Sequence, residues 1–104
     1  MIRKLFISIM IALTSSDALA SVDCTSKVKH IQVVDDGRVL IYLEGQNWSL
    51  LAANIEESIA KTWLSLALAA QASQRQITIR YPEGYNCDAW ETNTPATMVR
   101  TYSS

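Results

Sequence analysis

The stretch NIEESIAKTWLSLALAAQA, residues 54–72, decides how the chain reads. Ile55, Ile59, Trp63, Leu66 and Ala70 recur at helical spacing, and neither Gly nor Pro interrupts the run. Glu57 and Lys61 form a favourable i,i+4 pair. Asn54 and Glu57 stand at N-cap and N3 spacing, which predicts a helix starting at Asn54. From Trp63 to Ala70 no side chain is charged, and Ser58, Thr62, Ser65, Ala69 and Ala72 form a stripe of small residues opposite the apolar face. A surface helix ordinarily has a charged outer side. The stripe is therefore a candidate contact with a second copy of the chain or another subunit, although a helix rich in good formers such as Ala would look the same.

Upstream of the helix, Lys27 to Val34 is rich in branched residues and is interrupted by Asp35-Asp36-Gly37. Arg38 to Leu43 then resumes, with Val39, Ile41 and Leu43 alternating against Leu40 and Tyr42. This predicts two strands joined by a two-residue turn at Asp36-Gly37. Because Leu40 and Tyr42 are themselves apolar, the second strand should bury part of both faces. Glu44-Gly45-Gln46-Asn47 is a further turn, and Trp48 to Ala52 is a short third strand. Asn47-Trp48-Ser49 fits the N-glycosylation pattern, which has meaning only in a eukaryotic secretory pathway.

Downstream, Ile77, Ile79 and Tyr81 alternate with Gln76, Thr78 and Arg80, the pattern of a strand with one wet face. Residues 82–95 read as a loop, and Thr97 to Tyr102 as a last strand. The predicted order is β-β-β-α-β-β. Five short strands with a helix between the third and fourth match the element order of an OB-fold-like five-stranded barrel; an α+β open sheet with one packed helix is the alternative.

The first twenty residues have the form of a secretory signal peptide. Arg3 and Lys4 are followed by the apolar run Leu5 to Leu13 and by Ala18-Leu19-Ala20, which predicts cleavage after Ala20 and a single domain over residues 21–104. The apolar run is too short for a bilayer core of about 30 Å, so no membrane span is expected after cleavage. The expected location is secreted or periplasmic. Removing Arg3, Lys4 and Asp17 from nine basic and ten acidic side chains leaves seven and nine, a net charge of −2. The remaining Lys and Arg are scattered, which argues against nucleic-acid binding. A domain this small commonly needs a covalent restraint. Cys24 and Cys87 are the two cysteines, and in an exported chain an intrachain disulfide is the expected state, with free thiols or interchain bonds as alternatives.

At this point the chain resembles the small exported B subunits of AB5 toxins, of the subtilase-cytotoxin and pertussis-like kind. The resemblance rests on a Cys opening the first strand, on Asp36-Gly37-Arg38-Val39 and on Trp48 after the second strand. It extends through Trp63 to Ala70, Ile77 to Tyr81, the Pro82-Glu83-Gly84 turn and the late Cys87. It implies a self-associating, glycan-binding subunit with no catalysis of its own. The family's sugar-contacting residues, a short polar set near the first strands, have no position-by-position counterpart here.

The residues themselves offer little for catalysis, which needs at least two convergent polar groups. His30 is the single histidine and sits in a strand; Ser49 lacks a nucleophile-elbow context; Asp35 and Asp36 are turn residues. No catalytic set, metal site or cofactor is expected. Binding is better supplied. Tyr85, Asn86, Asp88, Trp90 and Glu91 gather aromatic and polar groups in one loop around Cys87, a candidate ligand site for a cell-surface glycan or a protein partner. The competing reading makes Trp90 a cover for the core and Tyr85 a turn residue.

Overall fold

A computed structural model describes residues 20–103. Apart from Ala20, the leader expected over residues 1–20 lies outside the described residues. Five strands and one helix follow in the predicted order: β1 (Val22–Val33), β2 (Val39–Leu43), β3 (Trp48–Ala52), α1 (Ser58–Ser73), β4 (Gln76–Tyr81) and β5 (Met98–Thr101). All strand pairs are antiparallel, in the order β3-β2-β1-β4-β5. The sheet does not close into a barrel, so the fold matches the α+β alternative of an open sheet with one packed helix. Along the outer edge of β3, a single parallel bridge joins Ser49 to Glu91 in the loop after β4, where a closing strand would otherwise lie.

β1 is the spine. Val22 to Lys27 pair with β4, and Val28 to Val33 pair with β2. Between the two halves the register against β2 slips at Lys29, a bulge that changes which face each later residue occupies. Cys24 and Val28 therefore point into the core, whereas His30, which strict alternation would send inward, lies exposed and opposite Tyr42. The Gln71 side chain from the end of the helix donates to the Lys29 carbonyl at 3.1 Å and so satisfies the bulged backbone.

The β1–β2 hairpin differs from the two-residue turn expected. Val34 and Arg38 close a three-residue loop, with the Gly37 N–H donating to the Val34 carbonyl (2.9 Å) and the Val34 N–H to the Arg38 carbonyl (3.0 Å). Only Gly37 has a positive φ, +95°, while a two-residue type I′ turn needs one at Asp36 as well. The Asp36 carboxylate instead accepts from the Arg38 N–H and Nε.

The helix begins at Ser58 with Glu57 as its N-cap, three residues later than the cap predicted at Asn54. The Asn54 side chain caps a turn, accepting from the Glu56 N–H at 2.9 Å, and its carbonyl accepts from the Glu57 N–H. The buried stripe is Ala60, Ala67 and Ala70, with Trp63 and Leu64 packed against the core. Ile59, expected inside, is 50% exposed, because the inward face is centred one residue later than Ile59, Trp63 and Leu66 imply. The helix ends in a Schellman arrangement: Gln74 takes φ +60°, Arg75 N–H donates to the Ala70 carbonyl and Gln74 N–H to that of Gln71.

The core lies between this alanine face and the inner face of the sheet: Val39, Ile41 and Leu43 from β2, Leu51 and Ala52 from β3, and Ile77, Ile79 and Tyr81 from β4. β2 also buries Leu40 on its opposite face, across from Leu50, as expected of a central strand. The wet face expected for β4 holds for Gln76 but not for Thr78, which is 1% exposed. Its hydroxyl is bonded to Thr25 (2.7 Å) and to the Tyr102 hydroxyl (2.6 Å), so the group is satisfied without water. On the same face Arg80 pairs with Asp23 at 2.8 Å, and that contact holds the Asp23 carboxyl below its ordinary value.

Candidate functional site

Cys24 and Cys87 form a disulfide, with a Cα–Cα distance of 5.7 Å. It ties the buried start of β1 to the middle of the 82–95 loop. Three successive turns shape that loop. Tyr85 N–H donates to the Pro82 carbonyl across Glu83 and Gly84, and Gly84 supplies the positive φ (+90°) at the third position that a type II turn requires. Asn86 Oδ1 accepts from the Asp88 N–H at 2.9 Å. Glu91 Oε2 accepts from the Asn93 N–H (2.9 Å) and the Thr94 hydroxyl (3.1 Å).

A tyrosine pair fastens the loop to the sheet. The Tyr81 and Tyr85 rings stack with centroids 3.9 Å apart and planes 12° from parallel. The Tyr81 hydroxyl donates to the Leu50 carbonyl at 2.9 Å. The Tyr85 hydroxyl hydrogen-bonds Ser49 Oγ at 2.8 Å and the Glu91 carbonyl at 3.1 Å. Burial pushes both phenols above their ordinary value of 10.0, since a phenolate there would lose its water. Backbone bonds extend the attachment, from Asn47 N–H to the Cys87 carbonyl and from Glu91 N–H to the Trp48 carbonyl.

Between these anchors the loop encloses a groove of about 490 Å3. Of the predicted ligand-site residues, Tyr85, Asn86, Trp90 and Glu91 line it; Asp88 does not. Glu83, Ala89 and Thr94 complete its walls together with the Pro82 and Gly84 turn. Trp90 is 68% exposed, so it does not cover the core as the competing reading required. Tyr85 is more than a turn residue, because its ring is part of the packing. Among the described residues no Lys, Arg or His lines the groove, whose polar walls include the Glu83 and Glu91 carboxylates and the Asn86 amide.

A second grouping was not anticipated from the sequence. His30, Tyr42 and Trp48 stand directly opposite one another on β1, β2 and β3, with ring centroids 5.7 Å (His30–Tyr42), 5.5 Å (Tyr42–Trp48) and 6.2 Å (His30–Trp48) apart. Alternation alone hides this row, because the bulge at Lys29 is what places His30 on the same face as the other two. The proposed contact stripe Ser58, Thr62, Ser65, Ala69 and Ala72 is solvent-exposed throughout. Leu68, three residues after Ser65, is 47% exposed beside it. Among the described residues, no group of three or more His, Cys, Asp or Glu is placed to hold a metal ion, and no helix is long and apolar enough to cross a membrane. Comparison of the chain with protein-family models and with curated proteins finds no match.

Proposed function

We propose that the chain is an exported, non-catalytic binding module, like the B subunits of AB5 toxins in plan, which self-associates and takes a glycan in the groove of the 82–94 loop. The observation that carries this reading is Trp90. An indole left 68% exposed at a groove beside Asn86 and Glu91 offers a flat apolar face for the C–H side of a sugar ring, with amide and carboxylate groups within the same walls for its hydroxyls. The disulfide and the Tyr81–Tyr85 stack hold the loop in shape before any ligand arrives, which lowers the ordering cost of binding. The strand order supports the OB-like plan: β3-β2-β1-β4-β5 with a long shared β1 is the order of such a barrel opened between β3 and β5. The experiment is a glycan array with the oxidised protein, followed by titration of any hit against Trp90→Ala. Loss of binding in a variant that still folds is the expected result; an array without hits refutes the glycan reading.

Self-association is supported by the outer side of the helix, where Leu68 and Ile59 are about half exposed and no charge occurs from Thr62 to Gln74. Light scattering is expected to show an oligomer that Leu68→Lys dissociates. The second reading, an accessory or inhibitor protein that docks on one protein partner, is favoured by the row of His30, Tyr42 and Trp48 on the sheet's outer face, and it predicts a monomer without sugar affinity.

A further inference from the structure

The charge of the groove narrows the class of sugar. Glu83 and Glu91 line it, and among the described residues no cationic side chain does. The ion pairs among the described residues, Arg38–Asp36 and Arg80–Asp23, involve neither glutamate. Glu91 uses Oε2 for the Asn93 N–H and the Thr94 hydroxyl, and Oε1 has no protein partner among the described residues. Trp90 stands at the same groove with its ring exposed, and an aromatic face attracts a cation as the carboxylates do. An acidic sugar would meet two like charges, with no cationic side chain among the described walls to neutralise its own carboxylate, which is a device for rejection as much as for selection.

We propose that the glycan taken by the groove presents an amino sugar, its ammonium group received by Glu83 and Glu91 and its ring by Trp90, and that acidic sugars are excluded. This rests on the glycan reading above and adds to it the charge class of the ligand. The test titrates the purified oxidised protein with three short oligosaccharides of equal length: glucosamine, N-acetylglucosamine and a sialylated sugar. It is run at about pH 6 and at low salt, where charge contacts are least screened. The glucosamine oligomer is expected to bind about fivefold more tightly than its acetylated counterpart, as an exposed charge contact supplies a factor of a few, and the sialylated one is expected not to bind measurably. Glu83→Gln, at an exposed position, is expected to shrink the preference severalfold, and Trp90→Ala to abolish binding of both neutral and amino forms. Trp90-dependent binding of the sialylated sugar at equal or greater strength overturns this proposal and leaves the glycan reading standing. Binding of glucosamine that survives in Trp90→Ala also overturns it, as general attraction to an acidic protein. No binding of any of the three overturns this proposal, and the glycan array then decides the reading on which it rests.

Discussion

Tyr81 and Tyr85 show how single side chains set the condition of the site. Each carries a hydroxyl that burial would penalise, and each finds a partner: Leu50 carbonyl for one, Ser49 and the Glu91 carbonyl for the other. Their phenols titrate above 10.0 in the folded protein. Below that pH both folded and unfolded states hold the protons and stability is at its full value. As pH rises past 10.0 the unfolded chain releases protons that the folded one retains, so stability falls by up to about 1.4 kcal/mol per pH unit for each tyrosine until the raised folded value is reached. Urea titrations from pH 8 to 11 are expected to show this decline, and to show it reduced in Tyr85→Phe. The surface pair Asp23–Arg80 works at the other end of the scale. Its contribution is present above the ordinary carboxyl value of 3.8 and lost as pH falls through the lowered folded value, and as an exposed pair it is the lesser term. The chemistry of these residues is visible in the sequence, but nothing in Tyr81 or Tyr85 taken alone announces that their rings stack.

At the scale of elements, strands and helix were legible because their signals are local. Ile77, Ile79 and Tyr81 alternate, and all three are buried; the stretch from Ser58 to Ser73 is helical. The boundaries and faces were less legible. Asn54 had the chemistry of an N-cap, yet its side chain caps a turn one step earlier, where the Ile55 N–H is already bonded to the Gly37 carbonyl at 2.7 Å. The helix faces inward through Ala60, Ala67 and Ala70 because a close approach to the sheet rewards small side chains over Ile59. Enlarging a fully buried alanine there should overpack the interface. Ala67→Leu is expected to lose about 1–3 kcal/mol by chemical denaturation, while Ala69→Leu, on the exposed stripe, should change folding stability by less than about 0.5 kcal/mol.

For the whole molecule, the disulfide is the largest single restraint. Closing 63 residues of sequence separation contributes about 4 kcal/mol in the chain-entropy account. Domains of this size are stable by only about 5–15 kcal/mol in total, so that contribution is a sizeable share. Replacing Cys24 and Cys87 by Ala is expected to lower unfolding stability by about 2–5 kcal/mol. Any ligand affinity of the groove should weaken with it, measured by denaturation and titration of the same variant. The larger effect belongs on binding at temperatures where the fold survives, because Cys87 sits inside the loop that shapes the groove while Cys24 is already held in the sheet, paired with Ile79 of β4.

The sequence by itself determined the element order, the two cysteines available for a staple, and a loop with Tyr85, Asn86, Trp90 and Glu91 close together along the chain. These follow from periodicity, turn chemistry and composition, all of which act over a few residues. Only the tertiary structure decided that the sheet stays open, that Asp88 stands outside the groove, that Trp90 faces solvent, and that His30 joins Tyr42 and Trp48. The placement of His30 depends on register between strands, where one added residue at Lys29 reverses the face of the rest of β1, and the placements of Asp88 and Trp90 depend on a loop fixed by contacts with distant residues, the disulfide and the Tyr81–Tyr85 stack.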